Sequence, residues 1–142
     1  MTKNSHPILP YVVVLIAYIL GEATWLTWMF PLYKKWFSRY NRSLEIFSKV
    51  AVVATYFVLL VAFAVLVLSQ LSTKSSMNSK ALMLDAFLKG AVFGLVVYGI
   101  YNGTNVATLP GYSWTMVLVD TSWGTIWFGL LALLFAILVK AK

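Results

Sequence analysis

Long apolar runs alternate with short polar or basic breaks along this chain, and four of the runs reach the roughly 20 mostly apolar residues that a helix needs to cross a bilayer. The first covers about 10–31 and is interrupted only by Glu22. The second, about 50–71, has no charge at all. The third, about 86–109, opens between Asp85 and Gly90, and the fourth, about 113–139, is interrupted by Asp120. The breaks differ in character. Residues 34–49 are basic and aromatic, 72–80 are rich in Ser, Thr, Asn and Lys, and Pro110-Gly111 is a tight-turn signal that makes the last two helices an antiparallel hairpin. The pattern predicts an all-α fold: a polytopic membrane protein whose four transmembrane helices form an antiparallel bundle, one membrane domain over 1–142. Gly21-Glu22-Ala23 loosely matches a signal-peptide cleavage site. The apolar run continues through Leu26 to Phe30, however, so a spanning helix is expected there.

Composition agrees with the pattern. Of 142 residues, 61% are hydrophobic and 11% charged, against about 25% charged in a soluble protein. Mean hydropathy is +0.85. The lipid bilayer is therefore the first partner, and the expected location is integral to a membrane, multi-pass. The absence of cysteine excludes disulfides, thiolate metal sites and thiol nucleophiles. His6 lies outside the spans, so Ser-His and Zn-His sites lack their base or ligand. No metal and no cofactor is expected, and the chain reads as non-enzymatic. The net charge of +7 follows from Lys and Arg gathered at span ends; no basic helix face or stacking module points to nucleic acid. With an even number of spans, Lys3, Lys74, Lys80, Lys89, Lys140 and Lys142 fall on one face and Lys34, Lys35, Arg39, Arg42 and Lys49 on the other, a balance that leaves orientation open. Lys34, Lys35, Trp36, Arg39 and Arg42 interleave cations with aromatic residues, which suits a stretch lying in the headgroup layer.

Glu22 and Asp120 carry the most chemistry, because a carboxyl at bilayer depth is costly and turns into the bundle or a wet cavity. At 1.5 Å per residue they lie about 13 Å and about 10 Å from helix ends on the same membrane face. No Lys, Arg or His shares their depth. On the third helix, Gly90, Gly94, Tyr98, Tyr101, Asn102 and Asn105 fall within an arc of roughly 120°. Gly90 and Gly94 form a small-xxx-small surface for a neighbouring backbone, and the stripe ends in phenols and carboxamides at the acids' depth. Asp120, Trp123, Gly124 and Trp127 share a face of the fourth helix; Tyr11, Leu15, Tyr18, Glu22, Trp25 and Met29 share one on the first. Trp25, Trp123 and Gly124 thus join Gly90 and Gly94 as packing residues. Ala51, Thr55, Ala62 and Ser69 read as a close-packing face of the second helix. The expected centre is a polar cluster of Glu22, Tyr98, Tyr101, Asn102, Asn105 and Asp120 in one leaflet.

Two further patterns stand out. Glu22-Ala23-Thr24-Trp25-Leu26-Thr27 and Asp120-Thr121-Ser122-Trp123-Gly124-Thr125 both read acid, any, hydroxyl, Trp, any, Thr. Inverted repeats are a transporter device, yet six residues in an aromatic-rich chain match by chance, and the helix order is wrong for a simple duplication. The stretch Gly90 to Leu109, with Tyr98, Tyr101, Thr104-Asn105 and Ala107-Thr108, followed by Trp114 and by Asp120-Thr121-Ser122-Trp123-Gly124, resembles the domain of unknown function 2177 family of small four-helix membrane proteins. Glu22-Ala23-Thr24-Trp25-Leu26 stands where that family carries D-x-x-W-L, and Asn102 where it tends to have Asp. The resemblance implies four spans and no assigned activity. Two functions are therefore expected to compete. One is a structural or accessory subunit of a membrane assembly, with other membrane proteins or further copies of itself, in which Glu22→Gln and Asp120→Asn spare folding. The other is a small proton- or cation-coupled transporter or channel using Glu22 and Asp120.

Overall fold

The computed structural model describes residues 8–37, 46–74 and 76–141, with backbone alone for 34–37 and 46–49. Among the described residues, four helices are long and apolar enough to cross a membrane. Helix α1 spans Ile8–Phe37 and continues through Pro31, where the sequence pattern placed its end. Proline removes one backbone bond and crowds the preceding turn. Near a helix end this is tolerated, and the turn beyond it is held because Tyr33 reaches α5. The second rod consists of α2 (Ile46–Phe63), a π-helical turn (Ala64–Leu68) and α3 (Ser69–Ser72). Helix α4 spans Ser79–Thr108, starting well ahead of the expected 86. Asn78 caps it by accepting from the Lys80 N–H at 3.0 Å. The charged residues near that start are paired, Lys74 and Lys89 each placing Nζ 2.9 Å from Asp85 Oδ2. Gly111, at φ 81°, turns the chain into α5 (Trp114–Lys140).

The α4–α5 hairpin is the spine. Buried positions on α4 recur every fourth residue, at Leu82, Ala86, Gly90, Gly94, Tyr98 and Asn102. On α5 the same spacing runs through Met116, Asp120, Gly124, Phe128, Ala132 and Ala136. Such spacing is that of i±4 ridges lying in each other's grooves. A Cβ on Gly90 would meet the Phe128 carbonyl, and one on Gly94 the Gly124 carbonyl, so the backbones approach as the small-xxx-small pattern predicted. Helix α1 lies along α5 through Tyr11 on Phe135 (centroids 4.7 Å apart), Tyr18 on Phe128 (5.9 Å) and Trp25 on Trp123 (4.5 Å).

The second rod joins through bulk rather than through small residues. Phe63 sits edge-on to Phe128 at 4.8 Å, and Val67, Leu68 and Leu71 are buried after it. Ala51, Thr55 and Ser69, expected to pack closely, are exposed, and Ala62 is half-buried. Large apolar side chains on the opposite side fill the space between the helices, so nothing requires the rod's backbone to come close, and the small residues turn outward.

The glycines supply a paired test. Gly94→Ala forces Cβ into backbone and is expected to destabilise by about 1–3 kcal/mol. Gly99→Ala, where a Cβ meets open space, is expected to be neutral or stabilising by up to about 1 kcal/mol. Equilibrium unfolding of both variants in detergent would check the difference.

Candidate functional site

Asp120 and Glu22 are 5% and 4% exposed. Both face the interior, at one level. Asp120 Oδ1 accepts from Tyr33 Oη at 2.7 Å and from Trp25 Nε1 at 3.3 Å, while Oδ2 accepts from Asn102 Nδ2 at 2.9 Å. Every one of these partners donates, so the carboxyl serves as an acceptor through both oxygens. Asn102, fully buried, also donates to its own helix at the Tyr98 carbonyl (2.9 Å) and lies 3.4 Å from Thr121 Oγ1. Its Oδ1 accepts from Tyr112 Oη at 2.8 Å, and Tyr112 Oη in turn accepts from Asn105 Nδ2 at 3.4 Å. Burial pushes the Tyr112 phenol up to about 12, so it keeps its proton and its donor role through the ordinary pH range.

Glu22 has a different environment. Tyr98 Oη lies 3.1 Å from both of its oxygens. The indole N–H groups of Trp123 and Trp127 are both buried without a hydrogen-bond partner. Trp25 and Trp123 stack with planes 1° apart, and Trp127 extends the stack at 5.3 Å and 14°. The two hexads that echo each other in the sequence therefore meet here. Trp25 of α1 reaches across to the acid of α5, Asp120.

Of the expected cluster, Glu22, Tyr98, Asn102, Asn105 and Asp120 are brought together. Tyr101 is not: it is 54% exposed. The buried line on α4 follows every fourth residue and so advances about 40° per step around the helix. By Tyr98 and Asn102 it has moved away from Tyr101, which a single fixed arc had included. Gly90, Gly94, Trp25, Trp123 and Gly124 all lie at helix contacts, a Cβ on Gly124 meeting the Tyr98 ring. Lys34, Lys35 and Trp36 fall on the last turns of α1, where side chains are not described, and Arg39 and Arg42 lie outside the described residues. The sequence reading missed Tyr33, Tyr112 and Thr121. Tyr33 was legible as the next fourth residue after Met29 on the α1 face, but only once Pro31 is allowed inside the helix. Among the described residues no group of three or more acids or histidines is arranged to hold a metal.

A model for a family described as a predicted membrane protein (DUF2177) matches residues 7–137. The chain belongs to the DUF2177 family. No curated protein and no solved structure matches it. As a DUF2177 member with four candidate transmembrane helices, it is an integral membrane protein whose natural solvent is a lipid bilayer.

Tyr33→Phe removes the shortest bond to Asp120. Because interhelical bonds in membranes average about 0.6 and reach about 1.7 kcal/mol, it is expected to lower stability by about 0.5–1.5 kcal/mol. Tyr101→Phe, outside the cluster, is expected to change nothing. Unfolding of the purified protein by denaturing detergent would compare the two.

Proposed function

We propose that this DUF2177 protein is a non-catalytic structural or accessory subunit of a membrane assembly. In this reading the acid, tyrosine and asparagine cluster serves as an internal lock that fixes α1, α4 and α5 relative to one another. The observation that carries the reading is the donor set of Asp120. Three donors from two other helices converge on its two oxygens, Trp25 sharing its N–H between Asp120 and Tyr33 Oη, an arrangement that consumes the carboxyl in packing. The path from Tyr112 to Asp120 passes through Asn102, whose amide relays a hydrogen bond but does not readily take up and release a proton. The two concavities that stand out are lined by other residues, neither of them including Glu22 or Asp120. The described residues are almost entirely spanning helix, which favours work done through partner proteins or further copies of the chain.

The two acids are expected to respond differently to isosteric change. Glu22→Gln retains an acceptor for Tyr98 and is expected to cost less than about 1 kcal/mol. Asp120→Asn replaces one of two engaged acceptor oxygens by a donor that faces other donors, and is expected to cost about 1–3 kcal/mol. Equal, negligible losses would remove the lock. In liposomes loaded with a pH-sensitive dye, proton flux is expected to match empty vesicles; flux abolished by the double substitution would instead establish the transport reading. Crosslinking in native membranes is expected to capture a protein partner or a second copy, and consistently monomeric recovery would overturn the assembly role.

A further inference from the structure

On the membrane face opposite the acid cluster, a cleft of about 620 Å³ opens between the start of α1 and the end of the second rod, lined by Tyr11, Ser69, Gln70, Ser72, Thr73 and Lys74. It is a shallow, open depression at the protein surface rather than an enclosed cavity. The π turn lies immediately before its lining residues on the second rod. The Ser69 N–H bonds back to the Ala64 carbonyl, five residues earlier, which rotates the remainder of the rod. Leu68 and Leu71 thereby stay in the core while Ser69, Gln70, Ser72 and Thr73 reach the cleft.

The polar groups there divide cleanly. Ser69, Ser72 and Thr73 donate their hydroxyl protons to backbone carbonyls of their own rod. Among the described residues, the Tyr11 hydroxyl and the Gln70 amide have no hydrogen-bond partner. Lys74 uses Nζ on Asp85 Oδ2, an oxygen that Lys89 also engages, so two cations share one carboxylate and a positive excess remains. What the cleft offers is uncommitted N–H and O–H donors beside surplus positive charge, the chemistry of an anionic oxygen ligand. Its depth narrows the choice. Tyr11 lies within the first turn of a span that begins at Ile8, and Ser72 is the last residue of the next. That boundary is where lipid phosphates lie, and exposed Ile8, Val12 and Leu66 flank it with surface for acyl chains.

We propose that the cleft formed by Tyr11, Gln70 and Lys74 holds the phosphodiester of an anionic phospholipid. The site is independent of the acid cluster. Native mass spectrometry of the full chain in detergent, titrated with phosphatidylglycerol and with phosphatidylcholine, tests it. Preference for phosphatidylglycerol is expected. The Tyr11→Phe/Gln70→Leu double variant and Lys74→Gln are each expected to weaken it about tenfold or more, since bonds to charged groups are at stake. Lys74→Arg is expected to retain binding, and Lys80→Gln, on an exposed lysine of the same face, to leave it unchanged. Should Lys74→Gln fail to fold, the double variant decides. Undiminished phosphatidylglycerol binding in the double variant, or equal binding of both lipids by the unaltered protein, would overturn the proposal. Displacement of the lipid by low-millimolar inorganic phosphate would overturn it too, in favour of a free anion.

Discussion

Hydrocarbon provides no hydrogen bonds, and a carboxyl placed within it has to find every partner inside the protein. Asp120 meets that requirement by drawing on Trp25 and Tyr33 of α1 and Asn102 of α4, and it thereby dictates how three helices sit together. Interhelical bonds in membranes contribute only about 0.6 kcal/mol each on average. Their weight comes from convergence, because displacing any one helix leaves a buried polar group unmatched at several points at once.

Short side chains impose a second condition. Asn102 spans from α4 to Asp120 on α5 only because the backbones are close, and they are close because Gly94 and Gly124 leave no side chain between them. The glycine contact and the polar contact lie on one every-fourth-residue line, Gly124 next after Asp120 on α5 and Gly94 two steps before Asn102 on α4, so the same ridge that permits approach also delivers the amide. The indole stack closes the remaining side. Trp25 and Trp123 lie flat against each other while Trp25 also reaches the acid of α5. The paired hexads thus have a shared structural context, whether or not they share an origin.

Much of this was legible in the residues. Apolar run length located all four helices, and the two isolated acids marked the level of the cluster. What was less legible has physical causes. The ends were misplaced where local features were overridden: Pro31 lies inside α1, and α4 extends ahead of Asp85, whose carboxylate is paired with Lys74 and Lys89. Tyr101 was misassigned because a fixed arc ignores the drift of an every-fourth-residue contact line. The inward face of the second rod was misread because small residues mark a tight contact only when the partner backbone actually comes near, and here Phe63 and Leu71 keep it away.

The indole stack also has an optical consequence. Transition dipoles in two rings that lie 4.5 Å apart with almost parallel planes couple with one another. Association of the first and last helices is therefore written into the protein's own near-ultraviolet circular dichroism and emission, without any attached label.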